Sequence, residues 1–497
     1  MESKTAGKGS LTTGYLWTFG STALPLVSAF FVSLIVARWM GPRAMGLVNW
    51  AMALATIFLI PAKFGIDGAA SRLITEYQVS SPRRIRQLIN SSLMLRLAFT
   101  VPVGVAVTIL APQLAGFFKE GELTALFRIC GLVIFSVSLN ELSALLILGL
   151  NRFGFLFAVR SATFVLRIGL TALAARFAMG ASGVLGAYVA AMLAGTIMVF
   201  WVLWRMELPA ADPGETPMIR KRLLRLSAPL AISGASVTIY SIVDKLMLGY
   251  YSGADEVGLY SIARNLQETT LFPTFALVMM LRPALAEAWS RGDMERFTDL
   301  VNRSVLDSLH YSLLVVVVFA CLASPIITGL FTDKFESSTV IMLLFLPIIA
   351  LRGIGSVVLP GLVAADRADT YARLTLAGAV LNFALNMLMI PVWGAKGAVI
   401  STLISYMPIE VFGLLTLYRM APRFWGSRDW VKAAKSLVSA AATVLLYLLI
   451  APDSGNIAWT VLHAAVISCF FSGLLLLSRA ITVKELMELA RPLIKRK

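Results

Sequence analysis

Residues 41–47 read Gly-Pro-Arg-Ala-Met-Gly-Leu, and residues 253–259 read Gly-Ala-Asp-Glu-Val-Gly-Leu. Each is a glycine, four residues, then Gly-Leu, and the two begin 212 residues apart. A second pair, Gly180-Ala181-Ser182-Gly183 and Gly394-Ala395-Lys396-Gly397, stands 214 residues apart. Self-similarity at one nearly constant offset marks an internal duplication. The first pair follows the first and seventh long apolar runs of the chain, and the second precedes the sixth and twelfth. Six runs therefore separate the copies, an even number, so both halves have the same orientation: a parallel repeat about an axis along the membrane normal.

The runs themselves set the class. Of 497 residues, 58% are hydrophobic and 14% charged, with a mean hydropathy of +0.81, whereas soluble domains average about 45–50% apolar and about 25% charged. Apolar stretches near the ~20 residues that cross hydrocarbon as a helix occur at about 11–37, 45–62, 88–110, 123–148, 155–175, 184–204, 228–249, 257–281, 306–329, 339–362, 374–391, 398–417, 434–451 and 458–478. The expected fold is an all-α integral membrane protein of about 14 transmembrane helices: two parallel six-helix bundles around a central cavity, plus two C-terminal helices. In domains this gives an N-terminal bundle at 1–210, a cytoplasmic linker at 211–227, a C-terminal bundle at 228–420, and two extra helices with a cytoplasmic tail at 421–497. The N-terminus reads as an uncleaved first span.

Of the 43 Lys and Arg, 30 fall in alternate connections counted from an inside N-terminus, 6 in the others and 7 within spans. Basic residues gather on the cytoplasmic side, so both termini are expected there. The net charge of +16 thus reads as membrane anchoring on anionic lipid and not as a nucleic-acid surface. Runs such as Arg220-Lys221-Arg222 and Lys495-Arg496-Lys497 fit that role, as does an amphipathic stretch at 483–493. Cys130, Cys321 and Cys469 are far apart in sequence, His310 and His463 are the two histidines, and no Cys/His cluster, phosphate-binding glycine loop or serine elbow occurs. No catalytic constellation is expected.

Three stretches carry a family resemblance: ARWMGPRAMGLVNWAMAL at 37–54, IVDKLMLGYYSGADEVGLYSIARNL at 242–266 and LNFALNMLMIPVWGAKGAVISTLIS at 381–405. With the span count and the duplication, they resemble the polysaccharide-transporter branch of the multidrug/oligosaccharidyl-lipid/polysaccharide (MOP) superfamily, over essentially the whole chain. The resemblance implies a MATE-like fold and a flippase. Such a protein moves a polyprenyl-pyrophosphate-linked oligosaccharide from the cytoplasmic to the outer leaflet by alternating access, for O-antigen or exopolysaccharide synthesis. It implies the bacterial cytoplasmic (inner) membrane, a monomer, and a polysaccharide polymerase and chain-length regulator as partners. An ion-coupled multidrug or lipid II-type transporter on the same fold and a non-transporting scaffold stay open as alternatives. An antiporter favours an acidic cavity, yet the first five spans hold four arginines and one carboxylate, Glu141.

Ionisable residues inside spans are costly and by default line a cavity or pair with each other. The basic ones are Arg96, Arg128, Arg160, Arg167, Lys245, Arg264 and Arg352. Arg160 and Arg167 share a helix face, and with Arg96 they make a candidate cationic wall, since the planar guanidinium binds phosphate oxygens bidentately. Arg352, beside Gly353 and Gly355 and with no local acidic partner in sequence, is a further candidate phosphate contact. Arg264 is a candidate too, although Arg264–Glu268 and Arg303–Asp307 have the i, i+4 spacing of internal neutralisation. Arg128 reads as interfacial. Asp244, Asn382, Asn386 and Thr402, with Ser401, offer the oxygen ligands a hard cation takes. They are therefore candidates for Na+ or H+ coupling, with pairing of Asp244 to Lys245 as the structural alternative. Similar positions on spans seven, eleven and twelve form a sodium site in some lipid II flippases, and this chain departs from them with an amide at Asn386. No other metal or cofactor is expected.

Overall fold

A computed structural model of the chain describes residues 8–206, 213–420, 424–450 and 457–481. The amphipathic stretch 483–493, the basic tail 495–497 and the first residues of the linker lie outside them. Among the described residues there is no strand, and fourteen α-helices follow in order. These are α1 (Lys8–Lys63), α2 (Ile66–Ser80), α3 (Arg84–Phe117), α4 (Leu123–Gly149), α5 (Phe153–Arg176), α6 (Gly180–Arg205) and α7 (Thr216–Thr270). They continue with α8 (Phe272–Ser290), α9 (Met294–Phe331), α10 (Ser338–Gly355), α11 (Val358–Ala364), α12 (Ala368–Met420), α13 (Ser427–Ile450) and α14 (Ile457–Leu477). Ten stretches of these are long and apolar enough to cross a bilayer. The chain is a multi-pass membrane protein.

The fourteen expected spans map onto these helices unevenly. The helices α1, α7 and α12 each carry two spans joined across one glycine: Gly41 (φ 82°, ψ −174°), Gly253 (φ 83°, ψ −179°) and Gly394 (φ 54°, ψ −131°). A side chain at φ near +80° with extended ψ would be strained, so the GxxxxGL motif opens on glycine in both copies for the same backbone reason. Positive φ recurs at matching places elsewhere: Lys119 (56°) with Thr332 (94°), Asn151 (59°) with Asp366 (55°), and Gly180 (65°) with Gly394 (54°). The duplication is thus written in the backbone as well as in the letters.

Two boundaries differ from the sequence expectation. The span expected at 257–281 is not one helix: α7 ends at Thr270 and α8 starts at Phe272. Pro273 occupies the first turn of α8, where its missing N–H removes no helical bond. The stretch 63–87, expected as a plain connection, contains α2, which buries Ile66, Ala69, Ala70, Leu73, Ile74 and Tyr77. That is the i, i+3, i+4, i+7 pattern of a helix with one apolar face. By order in the chain, α2 and α8 are counterparts, each following the second span of its half.

Packing divides the chain into two compact units, one running to Ser261 and including Asn386–Ala395, the other holding Ile262–Leu385 and the residues from Lys396 on. In the first, α3 lies on α4, α5 on α1 and α6, and α2 closes on α3 and α4. The two GxxxxGL motifs touch each other there. A Cβ on Gly46 would overlap the carbonyl oxygen of Ala254 and come within 2.9 Å of Gly258 N; a Cβ on Gly258 would overlap the carbonyl of Pro42 and come within 3.2 Å of Gly46 N. Beside this contact Trp50, 1% exposed, covers Gly249, where a Cβ would overlap its indole. At the other end of α7, Arg84 donates to Glu215 (2.6 and 2.7 Å) and Arg222 to Glu76 (2.8 and 2.9 Å). The hydrogen bond from Arg84 holds the Glu215 carboxyl below the usual carboxylate range.

In the second unit α9 is the spine. On one side it meets α8 and α10, and on another α13 and α14. Leu309, Leu313 and Val317 of α9 pack with Ala440 of α13 and Phe471 of α14. His310 is hydrogen-bonded to Ser436 at 2.9 Å, which ties α13 to the same spine.

The glycine contact makes a direct prediction. Gly→Ala within a helix normally gains about 1 kcal/mol of propensity, while overpacking costs about 1–3 kcal/mol. Gly46→Ala is expected to lower the thermal unfolding midpoint of the purified protein. Gly116→Ala on α3, where a Cβ meets nothing within 4 Å, is expected to leave it unchanged or raise it. Equal midpoints for the two variants would remove the contact from the account.

Candidate functional site

The first unit gathers charge from five helices, α1 to α5. Arg96 of α3 is fully buried and ion-paired with Asp67 in the first turn of α2; its Nη1 also lies 3.4 Å from Ser138 Oγ of α4. Thr100 joins the same group, 2.7 Å from Ser138 Oγ and donating to the Ala62 carbonyl at 3.2 Å. Lys63 pairs with Glu141, whose charge also reaches Asp67, Arg96 and Arg160. On α5, half-buried Arg160 donates from Nη1 to the Ser21 carbonyl at 2.8 Å. Two turns further along, Arg167 lies over the ring of Tyr188 on α6, 4.5 Å from its centroid, with Nε making no hydrogen bond. Four basic groups, Lys63, Arg96, Arg160 and Arg167, thus stand among two carboxylates, Asp67 and Glu141. Among the described residues neither Arg160 nor Arg167 has a carboxylate within salt-bridge distance: one rests on a carbonyl, the other on a π face.

The same unit holds Asp244, 2% exposed. Its Oδ1 accepts from Asn386 Nδ2 at 2.7 Å and its Oδ2 from the Tyr260 hydroxyl at 2.9 Å. Lys245 donates to Asn49 at 3.2 Å. In the second unit Asn382, one turn before Asn386 on α12, donates to Thr402 Oγ1 at 3.5 Å, and Asn382, Asn386, Ser401 and Thr402 are all buried.

The second unit also contains the other two predicted arginines. Arg264 Nε donates to Glu268 at 2.8 Å and its guanidinium lies 6.0 Å from the Phe345 ring, so the i, i+4 pair forms. The Arg303–Asp307 pair is looser, at 4.0 Å. Arg352 lies over Tyr406, 5.2 Å from the ring centroid. Arg128 is exposed.

Two acids that belong to these clusters are not among the candidates read from the sequence. Asp67 sits in a stretch that reads as a loop, and nothing local announces that α2 will carry it to Arg96. Glu410, 5% exposed on α12, is an ionisable residue inside the twelfth span, so the rule that singles out the intramembrane arginines applies to it equally. A cleft of about 730 Å³ in the second unit is lined by Arg282 and Asp366 among mainly apolar residues, including Trp289 and Pro360. Among the described residues no group of three His, Cys, Asp or Glu side chains is placed to hold a metal ion.

The family described as "Polysaccharide biosynthesis protein" matches residues 11–289, more than half of the sequence. The chain belongs to this family. The MatE family also matches, over residues 229–388. A probable low-salt glycan biosynthesis flippase, Agl15, of Haloferax volcanii is 21% identical over 375 residues, covering 74% of this chain and 75% of the relative. The lipid III flippase of Escherichia coli (strain K12) is 24% identical over 317 residues, 61% of this chain and 72% of the relative. Among solved structures, the lipid II flippase MurJ in an inward closed conformation aligns with a TM-score of 0.71 at 14% identity, covering 97% of this chain and 100% of that one. An inward-facing multidrug resistance MATE family transporter of the MOP superfamily gives 0.66 at 15% identity, covering 81% and 97%. The fold is therefore that of the MOP superfamily, and this member of the polysaccharide biosynthesis protein family is related to flippases.

Proposed function

We propose that the chain moves a polyprenyl-pyrophosphate-linked oligosaccharide from the cytoplasmic to the outer leaflet, by alternating access, for the synthesis of a surface polysaccharide. The observation that carries this reading is the charge balance of one cluster in the first unit: four cations around two carboxylates, an excess of two positive charges. A pyrophosphate joining a lipid to a sugar carries two negative charges, and entering such a site it would neutralise the surplus. Arg160 and Arg167 are the contacts, because a carbonyl and a ring are weaker partners than a phosphate oxygen that accepts both prongs of a guanidinium. Arg96, already neutralised by Asp67, positions the wall from behind. Arg352 is the corresponding contact of the second unit, and Arg264 contributes through the same field. The glycan needs water-like surroundings while the polyprenyl tail stays in hydrocarbon, so no covalent chemistry is required.

The proposed frame is a six-span bundle at 1–210, a linker at 211–227, a second bundle at 228–420 and two further helices at 421–497. Both termini are cytoplasmic and the protein sits in the inner membrane. Replacing Arg160 and Arg167 together by Ala is expected to abolish surface polysaccharide at unchanged protein abundance, and Lys at both places to restore it in part. Full export by the double Ala variant would refute the cationic wall.

For coupling, Asp244 is the proposed ion ligand. An amide offers either end, so a half-turn of Asn386 would present its oxygen, beside the Asp244 carboxylate, to a hard cation. A ligand that binds only the folded state stabilises it by mass action. Na+ is therefore expected to raise the unfolding midpoint where K+ does not, and Asp244→Ala to remove the difference. Identical midpoints in Na+ and K+ would exclude a sodium site.

A further inference from the structure

Glu410 lies in the second unit where α12 crosses α10. Its side chain is buried, and among the described residues Oε2 accepts no hydrogen bond and no ion pair reaches it. The space it fills exists because residue 355 is glycine: a Cβ there would overlap the carboxyl group. The place is therefore cut for this carboxyl, with the α10 backbone closing over it. Arg352, on the same helix less than one turn before Gly355, is near enough for its charge to act on Glu410, yet its guanidinium is turned onto Tyr406. The remaining titratable group on this cluster is Tyr371 of α12. At the adjoining packing points α9 and α11 present Ser308, Ser312 and Val358, none of which ionises near neutrality.

An ionised carboxylate with neither hydrogen bonds nor a contacting cation is among the costliest groups to bury. A protonated carboxyl is neutral and loses far less. The arrangement has two ways to be stable: Glu410 carries a proton while Arg352 is held elsewhere, or Arg352 turns from Tyr406 to the carboxylate and the proton leaves for bulk water. We propose that Glu410 is a proton-binding site, filled when Arg352 faces away from it and emptied when the guanidinium closes onto it. Anything that competes for Arg352 then favours the protonated form. An anion bound by Arg352 draws a proton onto Glu410, and by linkage the proton strengthens anion binding by the same factor. This second step rests on the reading of Arg352 as a pyrophosphate contact; the proton site itself does not.

The experiment is a pH-dependent infrared difference spectrum of the full chain in lipid nanodiscs, read at the carbonyl stretch of protonated carboxylic acids. Wild type is expected to show a buried acid band that fades with rising pH, and Glu410→Gln, the uncharged isostere, is expected to lack it. Removing the positive charge with Arg352→Gln is expected to keep the band to at least tenfold lower proton concentration. A spectrum unchanged by Glu410→Gln, or a titration unmoved by Arg352→Gln, overturns the proposal; the second comparison holds even if the first variant does not fold. In weakly buffered solution, inorganic pyrophosphate is expected to cause proton uptake by wild type and none by Glu410→Gln. A band that titrates as described without any pyrophosphate-driven uptake would keep the proton site and reject Arg352 as the anion contact.

Discussion

The approach of Gly46 to Gly258 is the constraint on which the first unit depends. Backbones meet there at a distance that admits a hydrogen on Cα and nothing larger, and the meeting is reciprocal: each motif's second glycine faces the carbonyl at or next to the other's first glycine. Duplicated segments that contact each other through their duplicated residues imply a local two-fold relation at that point. From it, α1 and α7 run side by side, with Trp50 lying on Gly249 and Asn49 accepting from Lys245. The neighbouring residue, Asp244, is thereby fixed against Tyr260 and Asn386. A glycine contact that bears no charge thus sets the place of a buried acid.

The charged groups follow a consistent logic of partners. Where an arginine is buried, as Arg96 and Arg264 are, an acid pairs with it, Asp67 from another helix and Glu268 from the same one, because an unpaired buried cation costs several kcal/mol. Where an arginine is only partly enclosed, as Arg160 and Arg167 are, it rests on a carbonyl or an aromatic face and keeps donors to offer. Arg352 on Tyr406 follows the second pattern, with Glu410 as a buried acid close by and not in contact. The difference between paired and loosely held arginines separates those that hold the helices together from those that suit a travelling anion.

Much of this is legible in the amino-acid sequence. The glycine motifs repeat at one offset, and φ signs at Gly41, Gly253, Gly180 and Gly394 explain why the letters were kept. The apolar runs gave the spans because hydrocarbon thickness sets their length. The intramembrane arginines were visible for the same reason, as exceptions within those runs. What the sequence hid depends on long-range meetings. Asp67 is an ordinary acid in a loop-like stretch until α2 folds against α3. The break at Leu271, by contrast, is marked locally by the polar run Gln267-Glu268-Thr269-Thr270 and by Pro273. The gap that accommodates Glu410 is made by a glycine 55 positions earlier, a relation that no local pattern records.

The central claim is that the protein carries a lipid pyrophosphate across the bilayer on Arg160 and Arg167, which form no ion pair with an acid among the described residues. It is tested most directly in proteoliposomes containing a fluorescent polyprenyl-pyrophosphate oligosaccharide, with a membrane-impermeant reagent that modifies only the outward-facing glycan. The account predicts that wild-type protein makes the inner-leaflet pool accessible and that the Arg160→Ala, Arg167→Ala protein does not. It also predicts that the same glycan on an uncharged lipid is left behind. Equal movement of the charged and uncharged lipids, or movement no faster than in protein-free vesicles, would contradict it.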